Sequence, residues 1–128
     1  MKSVDLTTVL IADADPNVRE LVGRFIAEAG YKVTFATNGY DALDSARLSP
    51  PVAIFADIVL PKLDGLTLCR LLKEDPVTKD IVTIIVFSVL SAEEKAKRAG
   101  ANAFIKKPLD KDDILKVLDS IKHKGADK

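Results

Sequence analysis

The apolar segment from Pro51 to Ala56, which ends at Asp57, restricts the fold of this chain more than any other stretch. Such an uninterrupted apolar run is typical of a strand that is buried on both faces of a sheet. The loop that follows contains Pro61 and Gly65, two residues that interrupt regular structure. A carboxylate at the end of a buried strand is well placed for chemistry.

Two other apolar segments end at a polar side chain in the same way. Residues 9–12 lead into Asp13, and residues 83–87 lead into Ser88. If these segments are parallel strands, their carboxyl ends share one edge of the sheet, where open α/β sheets bind their ligands. We therefore expect Asp13, Asp57 and Ser88 to converge.

The whole chain alternates between short apolar segments and segments with helical spacing of apolar residues. The expected strands cover residues 9–12, 31–36, 51–57, 82–88 and 103–105, and the expected helices cover residues 16–29, 40–48, 65–74, 92–99 and 111–121. Asp15-Pro16 and Asp110 are typical helix starts, and Gly30 is a typical helix end. This alternation predicts an α/β fold, a doubly wound five-stranded parallel sheet with five helices.

Length and composition predict one domain over residues 1–128, with a core over about 7–122 and a polar tail over 123–128. Apolar residues make up 48% of the chain and charged residues 30%, as in ordinary globular domains. The 19 basic residues balance the 19 acidic ones, which argues against direct binding of nucleic acid or of an anionic membrane. Without a signal-like or membrane-spanning segment, we expect a cytoplasmic protein. Cys69 is the only cysteine, so disulfides and thiolate metal sites are excluded.

In order and spacing, several motifs resemble the receiver domains of response regulators in two-component signalling, of the single-domain chemotaxis type. They are residues 9–19, Ala36 to Leu43, Asp57 to Gly65, Ser88, and Ala99 to Pro108. The resemblance covers nearly the whole chain. It implies a flavodoxin-like fold with strand order 2-1-3-4-5. It also implies that the protein is a signalling switch rather than an enzyme. Such a switch takes a phosphoryl group from a histidine kinase or phosphotransfer protein and acts on a downstream protein, which the sequence does not identify.

The resemblance also implies the roles of individual residues. Asp57 matches the phosphoacceptor, Lys107 the lysine that contacts the phosphoryl oxygens, and Ser88 the hydroxyl that donates to one of them. Phe104, together with Ser88, matches the aromatic switch. Mg²⁺ is the implied cofactor, with Asp13, Asp57 and the main-chain carbonyl of Val59 as its ligands. These roles agree with the needs of phosphoryl transfer, which depends on positioning and electrostatics more than on proton chemistry.

The sequence departs from the family pattern at three places. Ala14 stands where the family has a second acid, which is usually the direct Mg²⁺ ligand, so we expect weak Mg²⁺ binding. Asp15 does not replace that acid, because its place before Pro16 favours helix capping. Val89 replaces a very small residue beside the phosphoryl site, and the segment from Ser88 to Gly100 is about one helical turn shorter than usual.

Two positions bear on the lifetime of an acyl phosphate at Asp57. The residues that flank the family's line of water attack are Val59 and Leu90. Neither side chain can orient a water molecule, so we expect slow loss of the phosphoryl group. Placing Asn at 59 and Glu at 90 is expected to speed it.

Three other functions are alternatives to a receiver. The first is a pseudo-receiver, a protein-binding module with weak or absent Mg²⁺-dependent phosphorylation, which Ala14 and Val89 favour. The second is a small phosphatase of the haloacid-dehalogenase type that uses Asp13, since Asp13-Ala14-Asp15 resembles its nucleophile motif. The third, a flavin carrier, lacks the Ser/Thr/Gly-rich phosphate loop that it would need after the first strand.

Overall fold

A computed structural model of the protein describes residues 4–88 and 91–126, and side chains over 4–81 and 91–121. The strands are β1 (Asp5–Ala12), β2 (Lys32–Ala36), β3 (Pro51–Asp57), β4 (Val82–Ser88) and β5 (Ala103–Lys106). The helices are α1 (Pro16–Glu28), α2 (Gly39–Leu48), α3 (Gly65–Glu74), α4 (Glu93–Arg98) and α5 (Lys111–Ala126). Helices and strands alternate along the described chain.

The strands form one sheet in the order β2-β1-β3-β4-β5, and every neighbouring pair is parallel. Strand β3 lies in the centre, and all of its residues are buried. It pairs with β1 through Ile11 and Phe55, and with β4 through Asp57 and Phe87. The carboxyl ends of β1, β3 and β4 therefore meet at one edge of the sheet, as expected.

Helices cover both faces of the sheet because the apolar residues of β1 alternate between them. Val9 and Ile11 pack with α1 and α5, whereas Leu10 and Ala12 pack with α2 and α3. Helix α4 packs through Ala96 in a smaller cluster beside β5. The doubly wound α/β class and the five helices expected from the sequence are thus present in the described residues.

Four helices begin at side chains that accept hydrogen bonds from the first turn, and one of them is α5, where Asp110 accepts from the Asp112 amide at 2.9 Å. Asp15 accepts from the Asn17 amide, Asn38 from the Asp41 amide, and Asp64 from the amides of the first turn of α3. Because these capping residues stand directly after a strand or loop, they fix the point at which the chain turns into each helix. The prediction that Asp15 caps a helix is confirmed.

Two predicted boundaries are wrong by more than one residue. Strand β1 begins at Asp5 rather than residue 9, because the Asp5 amide donates to the Pro50 carbonyl at 2.7 Å and extends the pairing with β3. Helix α5 continues through residues 123–126, which we expected to lie in a polar tail. Its polar composition there obscured a helix that the apolar residues of the preceding turns hold against the sheet. No helix in the described part of the chain is long and apolar enough to cross a membrane.

Candidate functional site

Asp13 occupies the position directly after β1 and is almost fully buried, with 1% of its surface exposed. Its amide donates to the Ala36 carbonyl at 3.1 Å, which continues the pairing of β1 with β2. Its Oδ1 accepts a hydrogen bond from the Asp15 amide at 2.8 Å. The turn into α1 thereby fixes the direction of the Asp13 carboxylate, and leaves Oδ2 for a second partner.

Asp57 ends the central strand and is 8% exposed. Its Oδ1 accepts from the Val59 amide at 3.1 Å, so the loop after β3 closes back on the carboxylate. Gly65, the first residue of α3, packs directly on the main chain of Asp57. A Cβ at position 65 would lie 2.1 Å from the Asp57 carbonyl oxygen, which leaves room for glycine alone. Gly65 is therefore required by close packing as well as by the loop.

Lys107 joins the two carboxylates. It follows β5, and its Nζ donates to Asp57 Oδ2 at 2.9 Å and to Asp13 Oδ2 at 3.1 Å. Its side chain is 17% exposed, so water screens these ion pairs only in part. Its neighbour Lys106 turns away and donates to Ser91 Oγ at 3.2 Å, as expected for successive residues at the end of a strand. Three residues from three different strand ends thus form one charged cluster.

The electrostatics of the cluster follow from burial and pairing. Burial raises the pKa of Asp13, and the Asp57 charge adds to this, whereas the Asp15 amide and Lys107 lower it. Burial alone would lower the pKa of Lys107, but its hydrogen bonds to Asp57 and Asp13 raise it above the ordinary value for lysine. Lys107 therefore stays protonated throughout the neutral pH range. Its positive charge pairs with the carboxylate of Asp13, whose negative charge is disfavoured by burial.

The other predicted site residues are described only in part. Ser88 ends β4 and pairs with Lys106 along the main chain, but its side chain lies outside the described residues. Val89 and Leu90 also lie outside them. Phe104 on β5 is half-buried and packs against the small cluster of Ile58, Ala92 and Ala96, beside a cavity of about 230 Å³. The switch assignments of Ser88 and Phe104 stay predictions.

The side chains present partly fit a magnesium ion. Carboxylate oxygens from Asp13 and Asp57 are the hard ligands that Mg²⁺ prefers. Ala14 contributes no side-chain oxygen, and Asp15 is committed to capping α1. In the described ranges there is no group of three or more His, Cys, Asp or Glu residues that could hold a metal. The chemistry of the donor set suits Mg²⁺, but the number of anionic ligands is small.

Two features that brace the site were missed by sequence reasoning. The first is at the start of α2, where the Gly39 amide donates to the Pro61 carbonyl at 3.2 Å. A Cβ at position 39 would lie 2.0 Å from the Leu63 carbonyl oxygen, so the start of α2 packs closely on the loop after Asp57. The second feature is Arg19, whose Nη1 donates to the Asp13 carbonyl at 2.7 Å. No sequence pattern indicates either contact, because both depend on how distant segments pack.

A buried carboxylate beside a fixed ammonium group can act as a nucleophile toward phosphorus. Asp57 is held on one oxygen by an amide and on the other by Lys107, so its orientation is set before any substrate arrives. Positive charge at this place stabilises the oxygens of a phosphoryl group in transfer. The geometry therefore suits phosphoryl transfer to a carboxylate.

Comparisons with known proteins agree with this chemistry. The profile of the response regulator receiver domain family matches residues 9–119. Among curated relatives, the response regulator PleD of Caulobacter vibrioides is 34% identical over 104 residues, which cover 80% of this chain and 23% of PleD. The chain thus spans about a quarter of the length of that relative.

Solved structures give the same result for the fold. A candidate response regulator from Chloroflexus aurantiacus superposes with a TM-score of 0.85 at 31% identity, over 91% of this chain and 98% of that chain. The receiver domain of the sensor histidine kinase PA1611 from Pseudomonas aeruginosa superposes with a TM-score of 0.79 at 24% identity, over 89% and 95% of the two chains. That domain has a magnesium ion coordinated in its active-site cleft. The flavodoxin-like fold expected from the sequence is confirmed.

Proposed function

The chain belongs to the response regulator receiver domain family, and from this premise we propose that it accepts a phosphoryl group on Asp57 and thereby switches the binding of a partner protein. Receiver domains are signalling switches rather than enzymes in the usual sense. The observation that carries the proposal is the contact of Lys107 with both Asp57 and Asp13 at the end of the central strand. It brings the nucleophile and a permanent positive charge together.

The proposed transfer makes one bond and breaks one. A carboxylate oxygen of Asp57 attacks the phosphorus of a phosphohistidine, and an O–P bond forms as the P–N bond breaks. The electron pair of the broken bond and a proton remain on the departing imidazole. Lys107 stabilises the negative charge on the phosphoryl oxygens, since it already lies 2.9 Å from the attacking group. No proton has to leave Asp57, which attacks as the carboxylate.

The switch is proposed to run through Ser88 and Phe104. A phosphoryl oxygen on Asp57 is an acceptor for the Ser88 hydroxyl, because β4 ends beside β3. Movement of that hydroxyl leaves room for Phe104, which is only half-buried beside the cavity at α4 and β5. The output is then a change of surface at α4 and β5 that a downstream protein detects.

Mg²⁺ is the proposed cofactor, and its binding is proposed to be weak. Asp13, Asp57 and the main-chain carbonyl of Val59 would hold it. The bound ion would supply positive charge against the phosphoryl oxygens, in addition to that of Lys107. Support for weak binding comes from Ala14, since a missing carboxylate is not easily replaced at an ion that demands near-octahedral oxygen geometry.

The proposed partners are a histidine kinase or phosphotransfer protein as donor and a downstream protein as target. The balance of 19 basic and 19 acidic residues supports the absence of direct nucleic-acid or membrane binding in this chain. We place the function in the cytoplasm.

The phosphoryl group on Asp57 is proposed to be long-lived. Support comes from the neighbouring residue Val59, which is 62% exposed, because its apolar side chain cannot orient an attacking water.

Labelling with a small phosphodonor tests the proposal. Asp57→Asn should abolish the acid-stable, base-labile label, because the amide is not a nucleophile. Asp64→Asn is the matched control, since Asp64 is also an acid near the end of β3 but only caps α3, and asparagine caps helices equally well. Persistent labelling of Asp57→Asn would show that another residue accepts the phosphoryl group.

A pseudo-receiver is the second candidate, and Ala14 is the observation that favours it. The same labelling experiment separates the two, because a pseudo-receiver takes up no label with or without Mg²⁺. A phosphatase that uses Asp13 would instead turn over many equivalents of donor. Its expected general acid, Asp15, is engaged at the Asn17 amide, which argues against that reaction.

A further inference from the structure

A hydrogen bond from helix α1 fixes the main chain of the site. Arg19 lies one turn into α1, and its Nη1 donates to the Asp13 carbonyl at 2.7 Å in a partly buried contact. A charged donor at this distance makes a stronger bond than a neutral one and is more directional. The accepting carbonyl belongs to the residue whose carboxylate meets Lys107 at 3.1 Å. Arg19 thus contacts the main chain of Asp13, whereas Lys107 contacts its carboxylate.

Three contacts together determine the conformation of Asp13. Its amide is fixed by the Ala36 carbonyl, its Oδ1 by the Asp15 amide, and its carbonyl by Arg19. The first two come from the strand and from the turn itself. Of these three contacts only the one from Arg19 comes from a side chain, whereas Lys107 contacts the remaining carboxylate oxygen, Oδ2. The neighbouring Ala14 has no polar side chain that could make a comparable contact.

We propose that Arg19 is a positioning residue, which holds the turn between β1 and α1 so that the Asp13 carboxylate stays in register with Lys107 and Asp57. This inference rests on the proposed phosphoryl transfer to Asp57. Arg19 works through geometry rather than through charge on the carboxylate. Its bond goes to the main-chain carbonyl of Asp13, whereas the carboxylate oxygens accept from the Asp15 amide and from Lys107.

The first experiment compares Arg19→Met with Arg24→Met. Arg24 lies on the same helix, but its side chain is 59% exposed, and among the described side chains it pairs with Glu20 alone, at 3.3 Å. Arg19→Met should slow labelling of Asp57 by about tenfold, since small displacements of site groups have effects of this order or larger. The maximal rate should fall while the donor concentration for half-maximal rate stays unchanged. Arg19→Lys, which keeps a charged donor, should recover part of the rate, and Arg24→Met should match the wild type.

A double-mutant cycle tests whether Arg19 acts through Asp13. In an Asp13→Asn background the carboxylate is absent, so adding Arg19→Met should change the labelling rate by less than about twofold if the proposal is right. A full tenfold effect of Arg19→Met in that background would overturn it. Equal labelling of Arg19→Met and wild type in the normal background would overturn it as well.

A readout that does not depend on phosphorylation separates this inference from the proposed function. The ammonium group of Lys107 is mostly shielded, and its two carboxylate partners should slow its proton exchange enough for an NMR signal. The signal should persist in Arg24→Met and weaken in Arg19→Met. An unchanged signal in Arg19→Met would contradict the positioning role. If the wild type takes no label while Arg19→Met still weakens the signal, the proposed function fails and the positioning role stands.

Discussion

Asp13 carries a charge that is unfavourable in the folded protein. It is buried, and burial raises its pKa, so the folded protein binds a proton there more tightly than the unfolded chain does. Between the two pKa values the unfolding free energy therefore falls as pH rises, and above the folded pKa the full cost remains. At neutral pH the ionised Asp13 side chain therefore lowers the unfolding free energy.

Asp13→Asn should therefore stabilise the metal-free protein at pH 7 by about 1 kcal/mol, the size of a typical single substitution. The gain should shrink as the pH is lowered toward the unfolded value near 3.8, where wild-type Asp13 becomes protonated. Thermal unfolding across this pH range measures it. Asp15→Asn is the control, because Asp15 is exposed and asparagine preserves its cap. A gain that is constant with pH would show that the charge of Asp13 is not its cause.

Gly65 should be among the least replaceable residues of the chain. In Gly65→Ala the Cβ would overlap the Asp57 carbonyl oxygen at 2.1 Å. The carbonyl is main chain and the Cβ is attached directly to the main chain, so neither atom can rotate away. We expect a loss of more than about 3 kcal/mol of unfolding free energy, together with loss of labelling at Asp57. Gly30→Ala is the comparison, because Gly30 has a φ of +102° and nothing within 4 Å of a Cβ, so only about 1–2 kcal/mol of backbone strain applies. Urea unfolding of both variants decides between these values.

Among the elements, α3 is connected to the start of β5 by the side chain of Lys73. Lys73 donates to the Ile81 carbonyl at 3.1 Å and to Asn102 Oδ1 at 3.2 Å. Its stem also packs where a Cβ of Gly100 would lie. One lysine thus connects the end of α3, the segment before β4 and the turn between α4 and β5. That turn borders the surface through which we propose that the switch acts.

Lys73→Met keeps the stem and removes the donor. It should cost about 1 kcal/mol and increase amide hydrogen exchange in the turn at residues 100–102, with little change in α1. Arg70→Met on the same helix is the control, because Arg70 is exposed and only pairs with Glu74 at 3.8 Å. Equal exchange in the two variants would mean that the connection does not restrain the turn.

The sequence predicted an element accurately where residues at the element's own ends mark where it begins and stops. Helix α3 was predicted with its observed bounds, because Asp64-Gly65 and Asp75-Pro76 mark its ends. The amino-terminal half of β1 and the last turn of α5 were missed, since their polar residues carry no periodic signal and their structure depends on neighbours. The meeting of Asp13, Asp57 and Lys107 followed from the parallel arrangement of strand ends and from the family resemblance. The contacts of Arg19 and Gly39 could not be predicted, because they arise only when distant loops pack.

At the scale of the whole molecule, the sheet separates two apolar layers. Ile114 and Ile26 are fully buried in the layer of α1 and α5, whereas Ile54 lies fully buried in the layer of α2 and α3. Each layer packs against its own face, so a small cavity in one has no direct contact with a cavity in the other. The layers should therefore respond independently to mild truncation.

Ile114→Val and Ile54→Val should each cost about 0.5–1.5 kcal/mol, and together they should cost the sum to within about 0.5 kcal/mol. Ile114→Val with Ile26→Val is the comparison within one layer, where departure from the sum is expected. Urea unfolding of the single and double variants provides the values. Strong coupling between positions 114 and 54 would show that strain passes through the sheet.

A third acid in the site should change both the melting temperature of the metal-free protein and its affinity for Mg²⁺. Ala14→Asp adds a third acid beside Asp13 and Asp57, so it should lower the melting temperature without metal by repulsion. The same charge should tighten Mg²⁺ binding and speed labelling by small donors. Thermal unfolding and Mg²⁺ titration measure both effects, and Ala14→Asn, which adds similar bulk without charge, is the control. If the wild type binds Mg²⁺ as tightly as Ala14→Asp, another oxygen fills the missing ligand position.

The contacts of Lys107 also affect how the chain acquires its site during synthesis. Asp13 and Asp57 precede Lys107 by 94 and 50 residues, so the ion pairs close long loops. At about 5–20 residues per second, Asp57 is made roughly 3–10 s before its partner. Until then a nascent chain has two acids at the ends of neighbouring strands and no cation between them. The site should therefore be among the last parts to form, and its contacts should contribute to the slowness of unfolding rather than to the speed of folding.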